Sequence, residues 1–247
     1  MISDETRQAM LAHAKAESPL ECAGFLLSNG EYFPAKNASL TPDKTVIWDY
    51  DDLIAATDAY DNTSVVGFVH SHPSGSNILS TPDRESQGLN FYDWFLIAGN
   101  DVHYFPYVPH LLKRKYSYGN LDCFSLIRDS YRLSGHLMED IEREPNWWDK
   151  GQNLYLDNME NFGFERVTKP QMGDVILIHL GGSPKPNHGA VYLGDGTLLH
   201  HCTNRLSKRD PYGGYWLKHT HSVWRHKQWQ QFDFTGILND LAVNLPY

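Results

Sequence analysis

The alternation of apolar and polar positions divides the chain into two halves with a break between them. Residues 3–17 carry Ala9, Met10, Ala12 and Ala16 along a polar segment, with Ser3 placed to cap it, and predict a first helix. Short apolar runs at 22–28, 45–50 and 65–71 predict strands. A helix signal opens at Thr81-Pro82-Asp83, with Pro82 as first helical residue, and continues past Gln87. Strand-like runs at 92–98 and 102–107 close this half. The pattern then fails over 108–121, where Lys113, Arg114 and Lys115 sit together between Pro109 and Gly119. This stretch reads as a linker. A new helix opens at Asp122-Cys123, runs to about Leu133 and stops at Gly135. A polar, Trp-bearing stretch covers 138–165. Strand-like runs follow at 174–180, 188–193, 197–203, 215–220 and 222–226, separated by Gly- or Pro-rich turns. One helix followed by closely spaced strands predicts an α+β unit with a curled antiparallel sheet. The expected division is a first domain over 1–107, a linker over 108–115 and a second domain over 116–247.

Composition supports two compact cores. With 247 residues the chain exceeds the usual ~100–200 of one domain, and 13% aromatic residues supply enough large side chains for two small interiors. Twenty-one basic against thirty acidic residues give a formal charge of -9, which argues against a nucleic-acid partner held by a broad basic surface. No run approaches the ~20 apolar residues of a membrane span. The opening Ile2-Ser3-Asp4-Glu5-Thr6-Arg7 is polar and acid-bearing, unlike a signal peptide. Three cysteines, Cys22, Cys123 and Cys202, are too few for a disulfide scaffold and fit free thiols in a reducing cytosol.

In the first half, His70 and His72 are two residues apart on a predicted strand, so both imidazoles lie on one face. Asp83 follows early in the next helix. Two histidines and a carboxylate make an open zinc site of the hydrolytic kind, with water in the fourth position. Glu21, at the start of an apolar run, is the candidate base for that water. Ser80 is a candidate donor to the oxyanion of a tetrahedral intermediate. His-X-His by itself says little in a chain with 13 histidines; the set of Glu, His-X-His-Pro, Ser and Asp is specific. Over residues 1–107 it resembles the JAMM (MPN+) metalloprotease signature, with Glu21, His70, His72, Ser80 and Asp83 on its positions. The resemblance implies an α/β domain with a curved mixed sheet and helices. It also implies one Zn²⁺ on His70, His72 and Asp83, Glu21 as general acid/base, and cleavage of isopeptide or peptide bonds.

In the second half, Cys123 falls in the first turn of a helix capped by Asp122, where the helix dipole favours thiolate. His188 opens a strand that turns at Gly194-Asp195-Gly196 and returns through His200, twelve residues on. His200 is placed to orient His188, and alternation sends His201 to the opposite face. These residues, with Lys169-Pro170-Gln171-Met172-Gly173-Asp174 before a strand, resemble the NlpC/P60 papain-like cysteine peptidases over about 116–226. The resemblance maps Cys123 to nucleophile, His188 to general base and His200 to the third polar residue. Phe124-Ser125 departs from the Ser-Gly of many bacterial members, which alters the pocket beside the thiol and removes no catalytic role. Cys22 reads as core. Cys202 shares a face with His200 and reads first as packing, as do Trp147 and Trp148. His219, His221 and His226 lack a carboxylate or cysteine at ligand spacing.

The pairing of these two domains in one chain resembles tail-assembly proteins of lambda-like tailed phages. Peptidoglycan stem peptides, often cut beside D-γ-glutamyl linkages, are the substrates that the second resemblance implies. Other tail-tip proteins are the implied partners. The implied compartments are the host cytoplasm during tail assembly and, on a virion tail tip, the cell wall during infection. Two readings stand beside this one: a cellular isopeptidase that removes ubiquitin-like modifiers, and a structural tail-tip subunit whose sites serve assembly.

Overall fold

A computed structural model describes residues 2–58 and 63–244. The chain forms two compact units, Met1–Val108 with Ala242–Tyr247, and Pro109–Leu241. Each has its own sheet. Among the described residues no helix is long and apolar enough to cross a membrane.

The first unit runs α1 (Asp4–Glu17), β1 (Ala23–Leu27), β2 (Tyr32–Ala35), α2 (Tyr50–Asp58), β3 (Val65–Ser71), α3 (Thr81–Asn90), β4 (Asp93–Ala98) and β5 (Asp101–Phe105). The sheet order is β2-β1-β3-β4-β5. Only the β3–β4 pair is parallel, with α3 in the crossover, so the sheet is mixed. Every residue of β1 is buried because both faces of the sheet are covered. Phe25 and Leu27 point into a core with Phe68, Trp94 and Leu96, while Leu26 packs with Val69, Ile97 and the α1 residue Met10. Cys22 lies in this second cluster, as a small apolar residue.

One expectation fails here and one strand was not foreseen. Residues 45–50 form no strand. Trp48 makes a single bridge to Asn37, and Asp49 then turns the chain into α2 by accepting the Asp51 N–H at 2.9 Å. The strand of this region is β2 instead, hidden in the sequence by Pro34. Proline is tolerated there because β2 is an edge strand and needs no second ladder.

The second unit runs α4 (Cys123–Leu133), α5 (Leu154–Met159), β6 (Phe164–Val167), β7 (Val175–Ile178), β8 (His188–Tyr192), β9 (Thr197–His200), β10 (Lys208–Pro211), α6 (Gly214–Lys218), β11 (Thr220–His226) and α7 (Thr235–Leu241). Its six strands, in the order β10-β9-β8-β7-β11-β6, pair antiparallel throughout, and α4 packs on β8. Residues 215–220, expected as a strand, form the short helix α6 and only then enter β11. In this turn Trp216 packs against His188 and His200, while Tyr215 and Leu217 are left in solvent. Residues read as a linker also pack. The Arg114 guanidinium is buried and bonds Asp129 Oδ2 at 2.7 Å, while Asp240 accepts the Leu111 N–H at 2.7 Å.

Candidate active sites

The first site is built at the carboxyl end of β3. His70 is the penultimate residue of that strand, and His72 extends it, its N–H donating to Ile97 O at 2.9 Å. The next helix supplies the carboxylate. Ser80 caps α3 and Asp83 closes a capping box as its third residue, with Pro82 second rather than first in the helix. The box aims Asp83 at the histidines. His70 Nε2 and His72 Nε2 lie 3.2 Å apart, His72 Nε2 is 3.1 Å from Asp83 Oδ2, and His70 Nε2 is 3.4 Å from Asp83 Oδ1. All three side chains are buried. Burial alone would push the Asp83 carboxyl up, but the two imidazoles outweigh it and hold the group far below the usual carboxylate range. Burial lowers His70, whereas Asp83 outweighs the same effect at His72 and raises it.

Glu21 belongs to the same place. Ala23 pairs with His70 in the antiparallel β1–β3 register, so two residues back along β1 comes the position facing His72. Its side chain is buried, Oε2 has no hydrogen-bond partner, and burial lifts its carboxyl to about 7. A buried carboxylate oxygen without a partner is costly, and it needs a proton donor beside it. Two imidazole nitrogens and a carboxylate converging on one point, with a base beside them, fit a zinc ion. His70, His72 and Asp83 would hold it. Ser80 is otherwise engaged: its hydroxyl donates to Asp83 Oδ2 at 2.7 Å, as does its backbone N–H, so it fixes the ligand rather than pointing a proton outward.

The second site starts at the N-terminus of α4. Asp122 caps the helix, its carboxylate accepting the Ser125 N–H at 3.0 Å and the Arg143 guanidinium at 2.7 and 2.8 Å. Cys123 follows as the first helical residue, with its sulfur 3.1 Å from Tyr155 Oη. Desolvation, with the Asp122 charge beside it, pushes the thiol up to about 11, opposite to the shift expected from the helix dipole. The dipole contributes ~0.3–1 kcal/mol, and the cap's own negative charge sits at the same end of the helix. The thiol is therefore protonated at neutral pH until a base takes its proton.

That base lines the same cavity, of about 80 Å³, together with Trp147, Trp148 and His201. His188 is the first residue of β8. Gly189 follows it because α4 and Tyr155 press against the strand there: a Cβ would lie 2.7 Å from Ile127 Cδ1 and 3.0 Å from Tyr155 Oη. The β8–β9 register pairs Ala190 with His200, so His200 lies diagonal to His188 rather than opposite it. His188 Nε2 and His200 Nδ1 are 3.2 Å apart, and His200 Nε2 lies 3.1 Å from Asp210 Oδ2 on β10. The carboxylate fixes the protons along this line. Asp210 accepts from His200 Nε2–H, which leaves His200 Nδ1 to accept from His188 Nε2–H. The His188 nitrogen left with a lone pair is Nδ1. His201 takes the other side of the strand, edge-on to the Tyr116 ring and with Nε2 3.2 Å from Arg205 O.

Sequence reasoning did not find Tyr155 or Asp210. Tyr155 comes from the polar stretch with no local motif, and Asp210 from Lys-Arg-Asp-Pro, an edge strand with no apolar periodicity. Cys202, read as packing, lies 3.4 Å from His200 Nδ1. Among the described residues the late histidines gather no metal cluster; His226 packs in an aromatic group with His136 and Phe232.

Comparison with known proteins agrees with this division. Residues 3–106 match the prokaryotic homologs of the JAB domain, and residues 113–225 match the NlpC/P60 family. The chain is 48% identical over 180 residues to tail tip assembly protein K of Escherichia phage lambda, covering 72% of this chain and 90% of that one. It is 31% identical over 234 residues to the protein of the same name from Escherichia phage N15, covering 90% of this chain and 95% of that one. Among solved structures, an NlpC/P60 family protein from Bacillus cereus overlaps loosely, with 14% identity, a TM-score of 0.35, and 92% and 67% of the two chains covered.

Proposed function

The chain belongs to the family of the phage tail tip assembly protein K, and from that premise we propose that it is a two-headed tail-tip hydrolase. The second unit is the cysteine endopeptidase, and its substrates are peptidoglycan stem peptides. The observation that carries this reading is the proton line Asp210–His200–His188, ending in the cavity that holds Cys123. In this chemistry His188 Nδ1 takes the thiol proton as sulfur attacks the peptide carbonyl, then returns it to the leaving amine. His200 keeps that nitrogen free, and Asp210 keeps His200 in the matching tautomer. First-turn N–H groups of α4 have no intrahelical acceptor and are suited to the developing oxyanion.

The first unit is a zinc-dependent peptidase or isopeptidase. His70, His72 and Asp83 would hold the ion, and bound zinc would supply a Lewis acid and an acidified water. Glu21, lifted to about 7, is suited to hold a proton in transit between water and leaving group. Asp83 is kept ionised, as a ligand must be. Other tail-tip proteins are the assembly partners. The protein acts in the host cytoplasm during tail assembly, and in the cell wall when the tail tip carries it there.

The test is to incubate the purified chain with peptidoglycan and identify released fragments by mass spectrometry. Stem-peptide fragments should appear with the wild type and not with Cys123→Ala. Fragments that persist in Cys123→Ala and vanish on chelation would assign the wall chemistry to the other unit.

A further inference from the structure

Next to the thiol cavity three side-chain donor atoms converge on one point. His188 Nε2 lies 3.2 Å from His200 Nδ1, and Cys202 Sγ lies 3.4 Å from His200 Nδ1 and 3.9 Å from His188 Nε2. The sheet register brings them together. Ala190 pairs with His200 in the antiparallel register, so two residues back along β8 and two beyond His200 bring Cys202 opposite His188. Alternation then keeps all three side chains on one face.

Their spacing is that of a metal site. Bonds of about 2.0–2.1 Å to imidazole and about 2.3 Å to thiolate give a tetrahedron with edges of about 3.3 Å between nitrogens and about 3.6 Å between nitrogen and sulfur. The observed triangle matches those edges to within about 0.3 Å. Hydrogen bonding satisfies the triangle less well. Asp210 takes the His200 Nε2 proton, so neutral His200 offers one lone pair at Nδ1. Both His188 N–H and Cys202 S–H approach that single acceptor. A cation at the centre would use all three groups. Asp210 also stands where an outer carboxylate raises the basicity of a ligating imidazole. A cavity of about 430 Å³, lined by His200, Cys202, Asp210 and Trp216, gives an entry path and room for a fourth ligand.

We propose that His188, His200 and Cys202 form a second metal site, for a zinc-class divalent cation, and that its occupation switches the Cys123 peptidase off. On binding, Cys202 releases its thiol proton to solvent and ligates as thiolate. The metal replaces the proton on His188 Nε2, and the ring, remaining neutral, carries that proton on Nδ1. One proton leaves per cation bound. The nitrogen that would accept the Cys123 proton is then already protonated. The switch rests on the peptidase reading of the second unit; the metal site does not.

The full chain, stripped of metal and titrated with Co²⁺, separates these statements, because only a cobalt–thiolate bond gives a ligand-to-metal charge-transfer band in the ultraviolet. The band should appear in the wild type, in Asp83→Ala and in Cys123→Ser. It should be lost in Cys202→Ser and in Cys202→Ala, with thermal midpoints showing which variants are folded. Asp210→Asn should keep the band and weaken cobalt binding about 10- to 100-fold. A wild type without the band, or a band lost in Cys123→Ser and kept in Cys202→Ser, would overturn the site. For the switch, excess zinc in an Asp83→Ala background should lower wall-peptide cleavage at least tenfold and leave the Cys202→Ser version at its zinc-free rate. Equal inhibition of both overturns the switch. If no variant cleaves while the band still follows Cys202, the metal site stands and the peptidase reading fails.

Discussion

Both units place two imidazole nitrogens 3.2 Å apart, and the two pairs are prepared for different chemistry. The difference lies in which nitrogens meet the carboxylate. In the first unit Asp83 reaches the same Nε2 atoms that face each other, at 3.1 and 3.4 Å, so all three groups point at one centre. In the second, Asp210 reaches only the outer nitrogen of His200 and sets a direction of proton flow from one end of the line. An inner carboxylate makes a ligand cluster. An outer one makes a tautomer relay, which leaves the far nitrogen of His188 basic. The surroundings follow suit. Asp83 is held ionised, whereas Cys123 is held protonated until its partner acts.

The largest expected effect tests the relay at its reacting end. His188→Asn should lower turnover on a stem-peptide substrate by roughly 10³- to 10⁴-fold, since no group remains to accept the thiol proton or protonate the leaving amine. Zinc content of the first unit should not change. Appreciable turnover with the asparagine would mean that the imidazole is not the base.

Asp83→Ala tests the cluster in the same way. Elemental analysis should show loss of most zinc from the first site, with the cleavage by the second unit retained. Glu21→Gln should keep the zinc and remove any peptidase activity of the first unit, because an amide cannot accept the water's proton. Unchanged zinc in Asp83→Ala would break the comparison, since the inner carboxylate would then be no ligand.

A middle-sized effect concerns the orienting groups. His200→Ala should cost on the order of tenfold to a thousandfold in turnover, and His201→Ala much less, with thermal melts showing both folded. His200→Gln, which can still accept from His188, should recover part of the loss. The reverse order of the two alanine variants would place the relay on the other face of β9. Within the relay Asp210→Ala should lose less than His200→Ala, because it acts one group further from the thiol.

The smallest effect separates the units by their response to acid. Burial, with His136 beside it, lowers His226 in the second unit to about 4. Unfolded, the same imidazole titrates near 6.5, so between these values the unfolded chain binds more protons. The stability from this group is complete above about 6.5 and is lost as pH falls toward 4, on the order of 1–3 kcal/mol. Thermal midpoints of the second unit measured across this window should fall with acid, and His226→Phe should flatten the slope. An unchanged slope would assign the acid response elsewhere.

Much of both sites could be read along the chain because the informative spacings are local. His70 and His72 need only the twofold period of a strand, Ser80-Thr81-Pro82-Asp83 only a helix start, and Asp122-Cys123 only a cap. β1, β3, α3 and α4 were legible for the same reason: continuous apolar runs or capping residues announce them. β2 and β10 were not. One contains a proline and the other is nearly all polar, and both are edge strands that sheet pairing, not propensity, holds in place. The short helix α6 was misread because Tyr215-Trp216-Leu217 is apolar enough for a strand and no side-chain cap announces the turn.

Local spacing established the antiparallel second unit and the inner residues of each site, His70, His72 and Asp83 in one and Cys123, His188 and His200 in the other, whereas the mixed sheet of the first unit followed from the family resemblance. Spacing does this because strand and helix periods fix which neighbours share a face. The tertiary structure alone decided the environment of those residues. It decided that Cys123 would be raised by burial rather than lowered by its helix, since desolvation depends on what packs around the sulfur. It brought Tyr155 to the thiol, Asp210 to His200 and Cys202 to the register position facing His188. Those three contacts join residues from 10 to 32 positions apart, or sit beyond a turn whose register no local spacing sets. Proton direction and metal affinity depend on such contacts to within a few tenths of an ångström, and only the folded sheet fixes distances that finely.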